Sequence, residues 1–333
     1  MLLLDEPLAG LAAAERERVS NLVKNVATHI PVLIVEHDID RVLGFSQIVT
    51  VMNQGEVLMT GTPEAVCADR RVQEIYTGTG VPEVEHRRTD AATAGAAKVL
   101  RVERVNTFYG KSHILHDATL NVNEGEIVAL LGRNGAGKST LLKTLAGLAP
   151  LASGMIEYAG ADIAHVPAPD IARMGIGYVP QGRGLFAGMT VRENLSLGRL
   201  ARNTDASNGV VWNEAQVLQY FPRLRERMDV AADYLSGGEQ QMVAIARAMS
   251  GNVKLLLLDE PFEGLAPAVI LELFKVLDQL RRHISIVIVE HNLDLVLALA
   301  DRVFALERGA VFHEGPANPL LSDLEYRKKI LWL

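Results

Sequence analysis

Gly132-Arg133-Asn134-Gly135-Ala136-Gly137-Lys138-Ser139 fits the pattern G-x-x-x-x-G-K-[ST], and its flanks decide how it is read. Before it, Glu126 to Leu131 (EIVALL) is a short apolar run of buried-strand type. After it, Lys138 to Leu148 (KSTLLKTLAGL) carries leucines at helical spacing. A strand therefore feeds a helix through a glycine-rich turn. Glycines let the backbone curl so that its N–H groups face an anion, and the helix N-terminus adds its dipole. Lys138 would then reach the β- and γ-phosphates of a nucleotide, and the Ser139 hydroxyl would ligate Mg²⁺. The candidate nucleotide contacts run from Gly132 without a break through Thr140. A glycine-rich turn with no ligand is the alternative, and the strand–loop–helix context weighs against it.

Lys254 to Glu260 (KLLLLDE) is an apolar strand that ends in two acids. Alternation along the strand would turn one side chain toward a metal and the next toward an attacking water. Asp259 is the candidate Mg²⁺ ligand and Glu260 the group that polarises the water. Two acids closing a strand could equally be solvated, and the phosphate-binding loop is what favours the catalytic reading. A further apolar strand, Ile284 to Glu290 (ISIVIVE), delivers His291 at its end, where a histidine could contact the γ-phosphate and orient the water. A lone terminal histidine is usually structural, but the Glu-His pair recurs at Glu36-His37.

Leu235-Ser236-Gly237-Gly238-Glu239-Gln240 precedes a helix whose Met242, Ile245, Ala246 and Met249 follow i, i+3, i+4, i+7 spacing. Ser236 suits the N-cap, and two glycines after it leave an open helix N-terminus. Taken with the loop at Gly132, the Asp259-Glu260 pair and His291, this LSGGEQ string resembles the ABC ATPase family throughout residues 98–333. The resemblance implies a P-loop α/β cassette with a mixed, mainly parallel core sheet and a helical subdomain at about residues 185–250. It implies that Ser236, Gly237 and Gly238 clamp the γ-phosphate of ATP held on an opposing cassette, so that hydrolysis needs two cassettes face to face. Gln181, in Tyr178-Val179-Pro180-Gln181, matches the family's glutamine that touches Mg²⁺ and the water. Tyr109 matches the aromatic that stacks on adenine, although by itself such a tyrosine would be plain core or surface.

One departure from the family pattern is visible. The family often carries an Asp in the turn after Asp-Glu-Pro, where here Gly264-Leu265 is followed by Ala266, so the contact usually made by that Asp across the dimer is in doubt. Ala129 to Thr144, Gly175 to Phe186, Phe221 to Leu224 and Glu263 to Pro267 together look like the LivF type of branched-chain amino acid importer ATPase. That likeness implies two membrane permease subunits, an extracytoplasmic substrate-binding protein and a peripheral position on the cytoplasmic face of the inner membrane.

Composition is compatible with this. With 49% apolar and 22% charged residues the chain is that of an ordinary globular protein. A net charge of −7 argues against a nucleic-acid partner. The one cysteine, Cys67, excludes an internal disulfide and any multi-cysteine metal site. No run approaches the roughly 18 uninterrupted apolar residues of a spanning helix. The start, Met1 to Pro7, has no basic region and does not resemble a secretory signal.

Residues 2–61 match residues 256–315 at one fixed offset, without a gap. Leu4-Asp5-Glu6-Pro7 lies on Leu258-Asp259-Glu260-Pro261, Gly10-Leu11 on Gly264-Leu265, and Gly55 on Gly309. Residues 1–78, which look like the tail of a LivG-type partner ATPase, are thus expected to be the C-terminal part of a second cassette without a phosphate-binding loop. Residues 79–97, within a stretch rich in Gly, Ala and Thr, read as a linker, and 98–333 as a complete cassette. The expected reaction is ATP hydrolysis that drives uptake of branched-chain or other apolar amino acids. Its rivals are a soluble tandem ABC ATPase acting on ribosomes and a non-functional product of a damaged gene.

Overall fold

Ile127–Leu131, Leu255–Asp259 and Ser285–Val289 form strands in which every residue is buried, as expected of runs apolar on both faces. In the computed structural model the chain divides into two units, Met1–Gly80 and Val81–Leu333. The structure describes residues 1–5, 7, 8, 13–36, 44, 46–53, 55–69, 71 and 72 of the first unit. Of the second it describes 97–200 and 211–331.

The first unit contains β1 (Leu2–Asp5), α1 (Ala13–Ala27), β2 (Val32–Val35), β3 (Val49–Asn53), β4 (Glu56–Gly61) and α2 (Pro63–Ala68). Strand β1 pairs in parallel with β2, and β3 pairs antiparallel with β4. The expectations placed on Glu6, Gly10, Leu11, His37 and residues 79–96 lie outside the described residues.

The second unit opens with β5 (Lys98–Tyr109), β6 (Ser112–Asn123), β7 (Ile127–Leu131), α3 (Lys138–Leu145), β8 (Leu151–Tyr158) and β9 (Ala161–Asp162). It continues with α4 (Ala168–Met174), β10 (Ile176–Val179), α5 (Val191–Leu200), α6 (Glu214–Tyr220) and α7 (Gly237–Met249). It closes with β11 (Leu255–Asp259), α8 (Pro267–Leu280), β12 (Ser285–Val289), α9 (Leu293–Leu299), β13 (Arg302–Glu307), β14 (Ala310–Pro316), α10 (Ala317–Ser322) and α11 (Leu324–Leu331). The core sheet has the order β10-β11-β12-β7-β13-β14, parallel except for β14, which matches the mixed, mainly parallel sheet expected.

A four-stranded antiparallel sheet, β6-β5-β8-β9, was not anticipated. Its two longest strands carry register shifts, between Val102 and Val105 among others, so no clean two-residue alternation runs along them. Helices α5, α6 and α7 fall within the expected helical subdomain, and Met242, Ile245, Ala246 and Met249 of α7 are all buried.

The sequence repeat is also a repeat of strand register. Leu2 faces Val32 as Leu256 faces Ile286, and Asp5 faces Val35 as Asp259 faces Val289. Val49 faces Gly61 as Val303 faces Gly315, and the irregularity between Val51 and Met52 recurs between Ala305 and Leu306.

Two buried ion pairs fix where β7 begins, and so where the loop after it starts. Glu126, fully buried, accepts from Arg302 Nε at 2.8 Å and Nη2 at 3.0 Å. Asp301 accepts from Arg281 Nη1 at 2.7 Å and from the Ile127 N–H at 2.9 Å. Removing one partner of such a pair costs about 3–5 kcal/mol, because an uncompensated charge stays buried.

Candidate active site

The phosphate-binding loop leaves β7 and enters α3 through a backbone that side chains would obstruct. Gly132 has φ 142°, and a Cβ there would sit 2.3 Å from the Leu306 carbonyl oxygen, so only glycine fits. Gly137, at φ 103°, is the N-cap of α3, and no side chain caps that helix. Its first-turn N–H groups are therefore open to an anionic acceptor. Arg133, Asn134 and Gly135 are exposed at the rim, Ala136, Gly137 and Lys138 are buried, and Ser139 and Thr140 are half-buried.

Lys138 Nζ donates to the carbonyl oxygens of Gly132 at 2.8 Å and Arg133 at 3.1 Å, folded back over its own loop. Burial pulls its pKa down, while the charges of Glu260 and Asp259 push it back up. Those carboxylates arrive because β11 is two strands from β7 in the sheet, with β12 between them.

Ser139 Oγ donates to Asp259 Oδ1 at 3.0 Å. Burial raises the Asp259 carboxyl above the ordinary range, opposed by the Ser139 hydrogen bond and the charges of Lys143 and Lys138. A hydroxyl and a carboxylate side by side are the hard oxygen donors that Mg²⁺ takes. Among the described residues no three His, Cys, Asp or Glu side chains gather as a metal site, so a cation here would draw its remaining ligands from phosphate and water. Gln181, the third candidate ligand, turns its amide nitrogen to two carboxylates, Glu260 Oε2 at 3.0 Å and Glu263 Oε2 at 3.1 Å.

Glu260 has φ 53°, a left-handed conformation uncommon outside glycine. Its Oε1 lies 2.8 Å from His291 Nε2, so both carboxylate oxygens are held, one by His291 and one by Gln181. Burial pushes its pKa up, His291 opposes that shift, and the charge of Glu263 adds to it. A carboxylate raised in this way and held at both oxygens is suited to accept a proton from a water.

Ser236, Gly237 and Gly238 stand at the N-terminus of α7. Ser236 caps that helix: its hydroxyl accepts from the Glu239 N–H at 3.3 Å, and Glu239 Oε2 accepts from the Ser236 N–H at 2.9 Å. Among the described residues no hydrogen bond joins this terminus, or Tyr109, to the loop at Gly132. Tyr109 ends β5 and is 45% exposed. The structure thus brings Lys138, Ser139, Asp259, Glu260, His291 and Gln181 into one constellation, to which Tyr109 and Ser236–Gly238 make no hydrogen bond among the described residues.

Three contacts had no reading in the sequence. Glu263 receives Gln181; Glu290 receives backbone donors; and Arg183 Nη1 donates to Gln240 Oε1 at 2.7 Å, tying the Gln181 loop to α7. The Glu-His pair that recurs at Glu36-His37 carries a signal for Glu290 as much as for His291.

A family model described as ABC transporter matches residues 115–263, which include the loop, Gln181, the LSGGEQ string and Asp259-Glu260. The chain is similar to the high-affinity branched-chain amino acid transport ATP-binding protein BraG of Pseudomonas aeruginosa. The two are 45% identical over 234 residues, 70% of this chain and 99% of that protein. The chain belongs to the ABC transporter ATPase family. As an ABC ATPase it has the P-loop cassette fold, and its family couples ATP hydrolysis to transport. It is also similar, at 34% identity over 67% of its length and 92% of the relative's, to the lipopolysaccharide export ATP-binding protein LptB of Escherichia coli K12. Among solved structures it resembles the ADP conformation of an ATP-binding cassette of an ABC transporter. That likeness has a TM-score of 0.59 and 27% identity, over 69% of this chain and 97% of that one.

Proposed function

We propose that residues 98–333 are the ATP-hydrolysing subunit of an importer for branched-chain or other apolar amino acids. The observation that carries this reading is the 45% identity to BraG over nearly all of that protein, in a chain whose loop, acids and histidine meet in one site. In it the Gly132–Thr140 loop cradles the phosphates of ATP, Lys138 swings from the Gly132 and Arg133 carbonyls to the β- and γ-phosphates, and Tyr109 stacks on adenine. Ser139, Asp259 and Gln181 would hold Mg²⁺, which supplies charge neutralisation at the phosphates. Glu260 draws the proton of the attacking water, while His291 and Gln181 hold that carboxylate and the water in line. Water attacks the γ-phosphorus, the bond to the β-phosphate oxygen breaks, and ADP and phosphate result.

Ser236, Gly237 and Gly238 make no hydrogen bond to the phosphate-binding loop among the described residues and, as the family resemblance implies, serve ATP on an opposing cassette, which makes a dimer the active form. The ATPase docks on two membrane permease subunits at the cytoplasmic face of the inner membrane, supplied by an extracytoplasmic substrate-binding protein. Among the described residues no helix is long and apolar enough to cross a membrane, which suits a peripheral position. Residues 1–78 are the C-terminal part of a second cassette, joined through residues 79–97, and bind no nucleotide because the one G-x-x-x-x-G-K-[ST] string in the sequence is at 132–139.

The test is ATP-dependent uptake of labelled leucine by cells depleted of this chain. Wild-type chain should restore uptake and Glu260→Gln should not. Leucine uptake that is indifferent to the chain, with lipopolysaccharide export impaired instead, would refute the import reading and favour the activity named for LptB.

A further inference from the structure

The left-handed backbone of Glu260 persists only if its surroundings over-determine it. Two contacts hold the turn it begins. The Glu260 N–H donates to the Val289 carbonyl at 2.9 Å, and two residues on the Phe262 N–H donates to Glu290 Oε2 at 3.2 Å. The other oxygen of that carboxylate, Oε1, accepts the N–H of His291 at 2.7 Å and of Asn292 at 3.4 Å. Asn292 in turn caps α9, its Oδ1 accepting from the Leu295 N–H at 3.1 Å. Glu290 is 6% exposed, so water has little room to take over any of these bonds.

We infer that Glu290 is a positioning residue that fixes Glu260 and His291 relative to one another, giving one carboxylate oxygen to each of the two loops that carry them. It rests on the assignment of Glu260 and His291 to hydrolysis. It goes beyond that assignment in naming what holds their 2.8 Å contact. A carboxylate suits the task because both of its oxygens only accept, and both loops present backbone donors.

One half of this arrangement, the bond from the turn to the glutamate, recurs in the first unit. In the first unit the Leu8 N–H donates to Glu36 Oε1 at 3.0 Å, and Leu8 and Glu36 are the residues that the repeat aligns with Phe262 and Glu290. The bond therefore belongs to the turn-and-strand unit, not to a chance arrangement of the second copy.

The experiment compares Glu290→Gln, Glu260→Gln, His291→Ala and the double variant Glu290→Gln/His291→Ala with wild type. Each is tested in the full chain for thermal melting, ATP affinity and kcat. Glutamine keeps the shape and one acceptor but turns an NH₂ toward a backbone donor. Glu290→Ala would strip both loops of their acceptor and endanger the fold. We expect Glu290→Gln to melt cooperatively, to bind ATP within about twofold of wild type and to lose about tenfold or more in kcat. Its cost should shrink in the His291→Ala background, since part of its action passes through that imidazole. A folded Glu290→Gln with wild-type kcat, or one whose loss resides wholly in ATP affinity, would overturn the inference alone. Wild-type rates in both Glu260→Gln and His291→Ala would remove the reading of the site and this inference with it.

Discussion

Glu260 and His291 meet at 2.8 Å because they follow the ends of two neighbouring parallel strands, β11 and β12, whose register sets Asp259 opposite Val289. Neither residue is near the other in sequence. Parallel pairing of two apolar runs is what brings them together.

Lys138→Ala removes the ammonium proposed to reach the β- and γ-phosphates and leaves the glycine-built backbone cradle in place. Hydrogen bonds to charged groups contribute about 1.5–3 kcal/mol, so ATP affinity should fall by at least about tenfold, and hydrolysis with it. Titration calorimetry with ATP measures this, and an unchanged Kd would show that the loop is not used as described.

Ala266→Asp supplies a missing cap. Ala266 occupies the N-cap of α8 in extended backbone, φ −64° and ψ 144°, with no side-chain hydrogen bond and Pro267 next to it. An acidic cap in that geometry stabilises a helix by about 1 kcal/mol, which raises the Tm of a domain this size by about 2–4 °C. Calorimetric melting that shows no gain would mean that the turn does not let the side chain reach the first-turn N–H groups.

Stability should depend on pH through Glu260. Burial, the largest influence, raises its folded pKa, so the folded chain keeps that proton to higher pH than the unfolded chain does. Stability from this group is then full below the ordinary carboxylate pKa and is lost as pH rises through the folded one. The Tm advantage of Glu260→Gln over wild type should therefore be larger at pH 8 than at pH 5. An advantage that is constant or larger at the acid end would contradict this sign.

Much of the site was legible before the fold. The glycine-rich loop lies between a strand and a helix that apolar spacing reveals, and Asp259-Glu260 and His291 mark strand ends that end where expected to within a residue. What was not legible is carried by backbone donors. Glu290 and Glu263 matter through the N–H groups and amide they receive, and residue type alone does not say which buried acid meets which turn. The antiparallel sheet escaped for a related reason: bulges in β5 break the alternation from which a strand is read. The matched registers of the repeat were expected only as matched letters.

The first unit should open before the second. Leu3, Leu33 and Val35 are 65%, 54% and 56% exposed, whereas Leu257, Val287 and Val289, which the repeat aligns with them, are each 0% exposed. Fully burying a side chain of this kind stabilises by about 1.5–3 kcal/mol, of which the first unit forgoes a large part at each position. Limited proteolysis of the 333-residue chain should cut first within residues 1–97 and leave a core near 98–333 that still binds ATP. A resistant, monomeric 1–78 fragment that melts cooperatively would contradict it.

Hydrolysis by Glu260→Gln, compared with wild type in the full chain at saturating ATP and Mg²⁺, reports whether Glu260 activates the attacking water. Groups that accept or orient the proton of an attacking water contribute about a hundredfold or more. We expect turnover to fall by at least about that factor while ATP affinity is retained, since the phosphate cradle is untouched. Hydrolysis at a near wild-type rate would remove Glu260 from the catalytic role and contradict the account of the site built around it.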